Sequence, residues 1–125
     1  MRPLSRFVLA LAALNGLMAV AAGAFGAHAV AELQAKEWLR TGATYQLLHA
    51  GAALAALALA PRLRAGVVPA ALLSAGGLLF GLSLYLLAAT GQRMLGAVTP
   101  VGGVLMLLGW ALLVVQAARP SPPES

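Results

Sequence analysis

Four long apolar stretches with almost no charge inside them constrain this chain more than any other feature. They run over about 5–27, 42–60, 67–90 and 99–118, and beyond Arg6 none of them contains Asp, Glu, Lys or Arg. A helix needs about 20 apolar residues to cross the hydrocarbon core of a bilayer. The chain therefore has the stock for four crossings within its 125 residues. Charged residues make up 9% of it, where a soluble domain carries about 25%. A soluble globule of this size has no means of hiding so much apolar surface. The expected architecture is all-α: a transmembrane four-helix bundle, one four-span domain over 1–119, and a short disordered tail at 120–125 rich in proline.

Local signals punctuate the stretches. Arg2 and Arg6 precede the first, and Ala27-His28-Ala29 has the small-x-small form of a signal-cleavage site. The apolar part is longer than the roughly 7–15 residues of a signal core, and Asn15, Gly16 and Gly23 suit helix packing. A retained span is the preferred reading. Pro61 ends the second stretch, and Pro69 sits in the first turn of the third, where a missing N–H costs nothing. Thr99 reads as an N-cap with Pro100 at the first helical position.

Between the first two spans, His28 to about Thr41 is polar. Glu32 and Lys36 are four apart, and Glu37 reaches Arg40 at three. These charges share one broad arc of a helical wheel, with Val30 and Trp38 on the other. That pattern suits a short interfacial helix at the membrane surface; a solvated connector is the other reading. With four spans, Arg2, Arg6, Arg62, Arg64 and Arg119 share one side, and Lys36, Arg40 and Arg93 the other. Positive charge favours the cytoplasmic side, so both termini are expected there.

Several classes fall away. The net charge of +5 is dispersed between apolar runs rather than gathered into a phosphate-binding stripe, which argues against nucleic acid. No cysteine is present, so disulfides and thiolate metal sites are excluded. His28 at a helix end and His49 well inside a span stand at different depths, so no metal and no cofactor are expected. No carboxylate lies within a span to carry proton-coupled export, and no nucleophile–base pair or phosphate loop points to an enzyme.

Without a hydrophobic force between helices in lipid, small residues and polar pairing must hold the bundle. Asn15, Gly23 and Gly26 fall on one face of the first span, and Gln46, His49, Ala53, Ala56 and Ala60 form a stripe in the second. Gly77 and Gly81 make a GxxxG pair in the third, and Gly102 and Gly109 stand seven apart in the fourth. Trp110 is too deep for the aromatic belt and is expected to pack on a glycine surface. The remaining polar residues His28, Tyr45, Gln46, His49, Tyr85 and Thr99 gather toward the outer half of the bundle as a candidate cluster. It is either a buried ligand-binding or proton-labile group, or a set of interhelical hydrogen bonds fixing helix register.

Five blocks in order along the chain carry a resemblance. They are Gly23-Ala24-Phe25-Gly26-Ala27-His28, Thr41-Gly42-x-x-Tyr45-Gln46-x-x-His49, Phe80-x-x-Ser83-Leu84-Tyr85, Thr99-Pro100-Val101-Gly102-Gly103 and Gly109-Trp110-Ala111. The chain resembles the YgdD/YwdK-like small bacterial inner-membrane proteins, a family of unknown function. One departure is Leu82, where the family often has a small residue. The resemblance implies about four spans and no assigned reaction. The expected role is that of an accessory or structural membrane protein working in the lipid bilayer with a membrane-protein partner or a second copy. Transport or small-ligand binding through the polar cluster is the alternative.

Overall fold

Prolines, a side-chain cap and two glycines set the helix ends. The computed structural model describes residues 1–119, and the tail expected at 120–125 lies outside them. Helix α1 (Pro3–His28) has a proline in its first turn. Helix α2 (Leu33–Leu59) starts where the Glu32 carboxylate accepts hydrogen bonds from the backbone N–H groups of Gln34 (3.0 Å) and Ala35 (2.6 Å), two donors that a helix start leaves unpaired. A 3-10 turn at Ala60–Arg62 follows it. Helix α3 (Val68–Thr90) carries Pro69 at its start and ends on Gly91, whose φ of +69° is the left-handed value that glycine adopts without steric cost. A second 3-10 turn, Arg93–Ala97, leads into helix α4 (Thr99–Ala118). All four helices are long and apolar enough to cross a membrane, and there is no strand among the described residues.

The short interfacial helix does not exist as a separate element. Residues 33–41 form the first turns of α2, which runs unbroken for 27 residues. Two causes combine. Glu32 begins the helix early, and Ala35, Leu39, Ala43 and Gln46 continue the buried side of α2 at helical spacing through the polar stretch. A helix of that length is about 40 Å long, against about 30 Å of hydrocarbon. Its polar turns therefore stand at headgroup level. Glu32 is committed to the cap, and among the described residues no carboxylate pairs with Lys36 or Arg40.

Thr99 is also not the cap expected. The 3-10 turn passes directly into α4, so Val98 already has helical backbone angles and its carbonyl accepts from Val101 and Gly102 N–H. The Thr99 hydroxyl instead meets Ser83 Oγ of α3 at 2.7 Å.

The helices do not share contacts evenly. α3 packs against all three others, α1 and α2 pack against each other, and α4 rests chiefly on α3. α3 is accordingly buried on two sides, with Ala70, Leu73, Ser74, Gly77, Gly81 and Leu84 among its buried residues. On α2 the stripe Gln46, His49, Ala53, Ala56 and Ala60 is buried, and Leu47 and Leu54 face outward. The large apolar side chains that remain exposed, such as Leu17, Leu48, Leu107 and Val114, form the surface that lipid covers. Leu82 is among them at 37% exposure, so the departure noted there lies on the outward side of α3.

Glycine permits the tightest crossing. A Cβ at Gly102 would lie 2.5 Å from Phe80 N and 2.8 Å from Gly76 O, and one at Gly76 would meet Gly102 O at 2.7 Å. α3 and α4 thus approach backbone to backbone, through Gly76 rather than its neighbour Gly77. Gly109 receives Leu73, whose Cγ would stand 2.8 Å from a Cβ there. At the far end of α4, Gln116 Oε1 accepts the Ala65 N–H at 2.9 Å and ties the helix to the turn between α2 and α3.

A closed polar chain at the centre of the bundle

Two amide side chains near the middle of α1 and α2 face each other and α3. Asn15 and Gln46 are both completely buried, at 0% exposure. Unpaired, each would carry the full cost of a polar group removed from water. Their partners are one another and α3. Tyr85 OH donates to Gln46 Oε1 at 2.5 Å, Gln46 Nε2 donates to Asn15 Oδ1 at 2.8 Å, and Asn15 Nδ2 donates to the Ser74 carbonyl at 2.9 Å. The chain leaves α3 at Tyr85, crosses α2 and α1, and returns to α3 about three turns away. Every bond runs in one direction, which fixes the orientation of both amides.

The backbone around this chain is shaped to admit it. A Cβ at Gly81 would lie 2.8 Å from Gln46 Cδ, and one at Gly42 would lie 2.7 Å from Tyr85 Cε1. Gly81 makes room for the amide and Gly42 for the phenol ring. Gly77 is less constrained, since its nearest neighbours, His49 Cβ and Asn15 Nδ2, would stand at 3.6 and 3.8 Å. A Cβ at Gly26 of α1 would lie 3.0 Å from Leu39 Cβ of α2, and one at Gly23 would lie 3.6 Å from Ala43 Cβ. Ser74 contributes its carbonyl to the chain, and its buried hydroxyl has no partner among the described residues.

A second polar contact joins α2 to α4 across α3. Trp110 Nε1–H donates to His49 Nε2 at 2.9 Å, and His49 Nδ1 lies 2.7 Å from the Tyr45 carbonyl one turn back. A carbonyl only accepts and an indole N–H only donates. The two partners together specify the neutral imidazole with its proton on Nδ1. Tyr45 and Phe80 rings pack beside it, with centroids 5.0 Å apart, and the Tyr45 and His49 rings stack at 6.2 Å.

The expected cluster is therefore divided into separate parts. Gln46 and Tyr85 are joined, with Asn15 as the third member. His49 belongs with Trp110 and the Tyr45 carbonyl. Among the described residues the Thr99 hydroxyl pairs with Ser83 and the Leu95 carbonyl. His28 stands apart from all of them, exposed at the last residue of α1. Its separation follows from depth, because α1 ends there whereas Gln46 and His49 lie well inside α2. Asn15, at the middle of α1, extends the Gln46–Tyr85 pair toward the centre of the bundle. Sequence reasoning treated Asn15 as a packing residue and Trp110 as a ring on a glycine surface. Only the single polar side chain inside α1 and the indole N–H of a deep tryptophan hinted at their pairings. Among the described residues no three His, Cys, Asp or Glu side chains gather as a metal site would require.

Comparison with known proteins places the chain in a family. A family described as "Protein of unknown function (DUF423)" matches residues 22–103. The UPF0382 inner membrane protein YgdD of Escherichia coli (strain K12) is 45% identical over 121 residues, covering 92% of each chain. The chain belongs to the DUF423 family. The UPF0382 membrane protein YwdK of Bacillus subtilis (strain 168) is 40% identical over 115 residues, 87% of this chain and 94% of its own. A UPF0382 membrane protein of Staphylococcus epidermidis is 41% identical over 114 residues, 87% of this chain and 93% of its own. No solved structure matches. These DUF423 relatives are named as membrane or inner membrane proteins, and neither they nor the family bear an enzymatic name. The protein is a multi-pass membrane protein of a family of unknown function. The DUF423 match includes Gln46, His49 and Tyr85 and leaves Asn15 and Trp110 outside it.

Proposed function

We propose that this protein is a non-enzymatic accessory component of a bacterial inner membrane, with both termini in the cytoplasm, acting through contact with another membrane protein. The observation that supports this reading is the internal use of the polar groups. Tyr85, Gln46 and Asn15 bond one another and α3, and His49 bonds Trp110 and its own helix. Intramembrane polar residues of a transporter or enzyme face a cavity or a substrate path. Here they fix helix register, and the outer surface is what remains to act. The excess of basic residues at the termini and the Arg62/Arg64 turn supports the orientation.

Native mass spectrometry of the protein released in particles of its own membrane tests the role. The expected result is a second polypeptide at fixed stoichiometry; a defined homo-oligomer would keep the interaction role and make the partner a second copy. A reproducible small organic adduct on an otherwise solitary chain would overturn the reading in favour of ligand chemistry. Orientation is tested by placing a cysteine at Arg62. Labelling by a membrane-impermeant reagent from the periplasmic side of intact cells would reverse it.

A further inference from the structure

Lys36, Arg40 and Thr44 occupy successive turns of α2, four residues apart, on one line of the helix. They border a cleft of about 120 Å³ between α2 and α1, and the opposite wall includes Gly23 and Gly26. Residues of α1 without side chains thus leave space where two cations and a hydroxyl stand in a row. Lys36 is half-buried and Arg40 exposed. Glu32, four residues before Lys36, holds the N–H groups at the start of α2 instead, and Glu37, three residues before Arg40, forms no ion pair with it. Among the described residues neither cation has a carboxylate partner. Two like charges one turn apart repel each other, and an anion between them removes that repulsion.

Depth decides what kind of anion. The cleft lies in the first turns of a helix about 10 Å longer than the hydrocarbon core, which is the level of lipid phosphates. Below it the α1–α2 edge carries little side-chain cover. A Cβ at Gly51, seven residues past Thr44 on α2, would meet nothing within 4 Å, and one at Gly16, seven residues before Gly23 on α1, would touch Ala50 Cβ at 3.9 Å, where the two helices are in contact. Leu47 and Val20 flank this strip and are 48% and 60% exposed. A phosphate group at the cleft with a hydrocarbon chain along the strip matches both halves of the surface.

We infer that the Lys36/Arg40 cleft binds the phosphodiester of an anionic phospholipid, with one acyl chain along the α1–α2 edge over Gly51. Arg offers a planar fork of donors and Lys a compact ammonium, and both are suited to phosphate oxygens. With both termini cytoplasmic, as proposed above, the cleft lies in the periplasmic leaflet, and cations there attract the anionic headgroups beside them by the same Coulomb force.

The test uses the full chain in nanodiscs of phosphatidylcholine containing phosphatidylglycerol, with retained lipid read by native mass spectrometry. The wild-type protein is expected to keep one phosphatidylglycerol about 30-fold in preference to phosphatidylcholine, the factor that two such cations supply. K36Q/R40Q is expected to lose that preference, and G23L, which fills the cleft and leaves both cations, to lose it as well. R93Q removes a cation outside the cleft and is expected to retain it. Circular dichroism confirms that each variant is folded, and K36R, which keeps the charge, serves as the folded reference if the double variant is not. Unchanged preference in K36Q/R40Q, or equal loss in R93Q, would overturn the site, the second by showing only diffuse charge at that end of the bundle. Displacement of the lipid by millimolar inorganic phosphate would overturn the lipid as ligand and assign the cleft to free phosphate.

Discussion

α1, α2 and α3 are joined through buried side-chain hydrogen bonds, whereas α4, apart from the Ser83–Thr99 contact at its first residue, meets α3 chiefly where side chains are absent. In the first region Tyr85, Gln46 and Asn15 form one directed chain that passes through all three helices. In the second, Gly76 and Gly102 bring two backbones together, and Gly109 accepts Leu73. The contrast reflects two available sources of helix association in lipid. One is the cost of leaving a polar group unpaired in hydrocarbon, and the other is the dispersion gained when backbones approach closely. The first source is directional and specifies register. The second is steric and tolerates no added atom.

That difference predicts unequal responses to substitution. The largest effect belongs to Gly102→Leu, since even a Cβ there would lie 2.5 Å from a backbone nitrogen. Overpacking of this kind is expected to cost about 3 kcal/mol, measured by unfolding in dodecyl sulfate with circular dichroism. Wild-type stability in that variant would mean that α4 does not approach α3 through glycine. Gln46→Leu is expected next, at about 2 kcal/mol, because it removes the bonds to Asn15 and Tyr85 and leaves the Asn15 Oδ1 and the Tyr85 hydroxyl unpaired. A double-mutant cycle with Tyr85→Phe should return a coupling energy clearly above zero; strict additivity would sever the chain at that link.

The GxxxG pair offers a finer comparison within one helix. Gly81→Ala places its Cβ 2.8 Å from the Gln46 amide, while Gly77→Ala meets nothing closer than 3.6 Å. The first should destabilise by about 1 kcal/mol more than the second, and equal effects would remove the distinction drawn between them. The smallest expected effect is that of Trp110→Phe. It deletes one hydrogen bond, to His49, and should cost about 0.6 kcal/mol, the average for such bonds in a membrane. A loss several times larger would show that α4 depends on polar pairing as the other helices do.

Much of this arrangement is legible in the sequence for physical reasons. Pro61, Pro69, Gly91 and Pro100 mark places where a helix cannot continue or best begins, and the end of α2, both ends of α3 and the start of α4 fall beside them. The buried stripe of α2 follows from 3.6-residue spacing alone. What is not legible depends on distance or on neighbours. His49 and Trp110 are 61 residues apart, and Asn15 and Ser74 are 59 apart, so no local pattern pairs them. Gly76 and Gly77 point to different sides of α3, and a helix buried on two sides leaves sequence spacing unable to say which one faces α4. The polar first turns of α2 read as a separate helix at the membrane surface, and only the burial of Ala35, Leu39 and Ala43 against neighbours shows that they continue into the span.

The polar chain also implies an order of assembly. Its last participant along the sequence is Tyr85, so every group it needs has been synthesised before α4 begins at Thr99. Translation delivers residues from the N-terminus onward. The three-helix nucleus can close while the fourth helix is still being made, and α4 then docks onto a finished glycine surface. Late arrival suits its mode of attachment, because a steric seam needs a rigid template, and the hydrogen-bonded trio provides one.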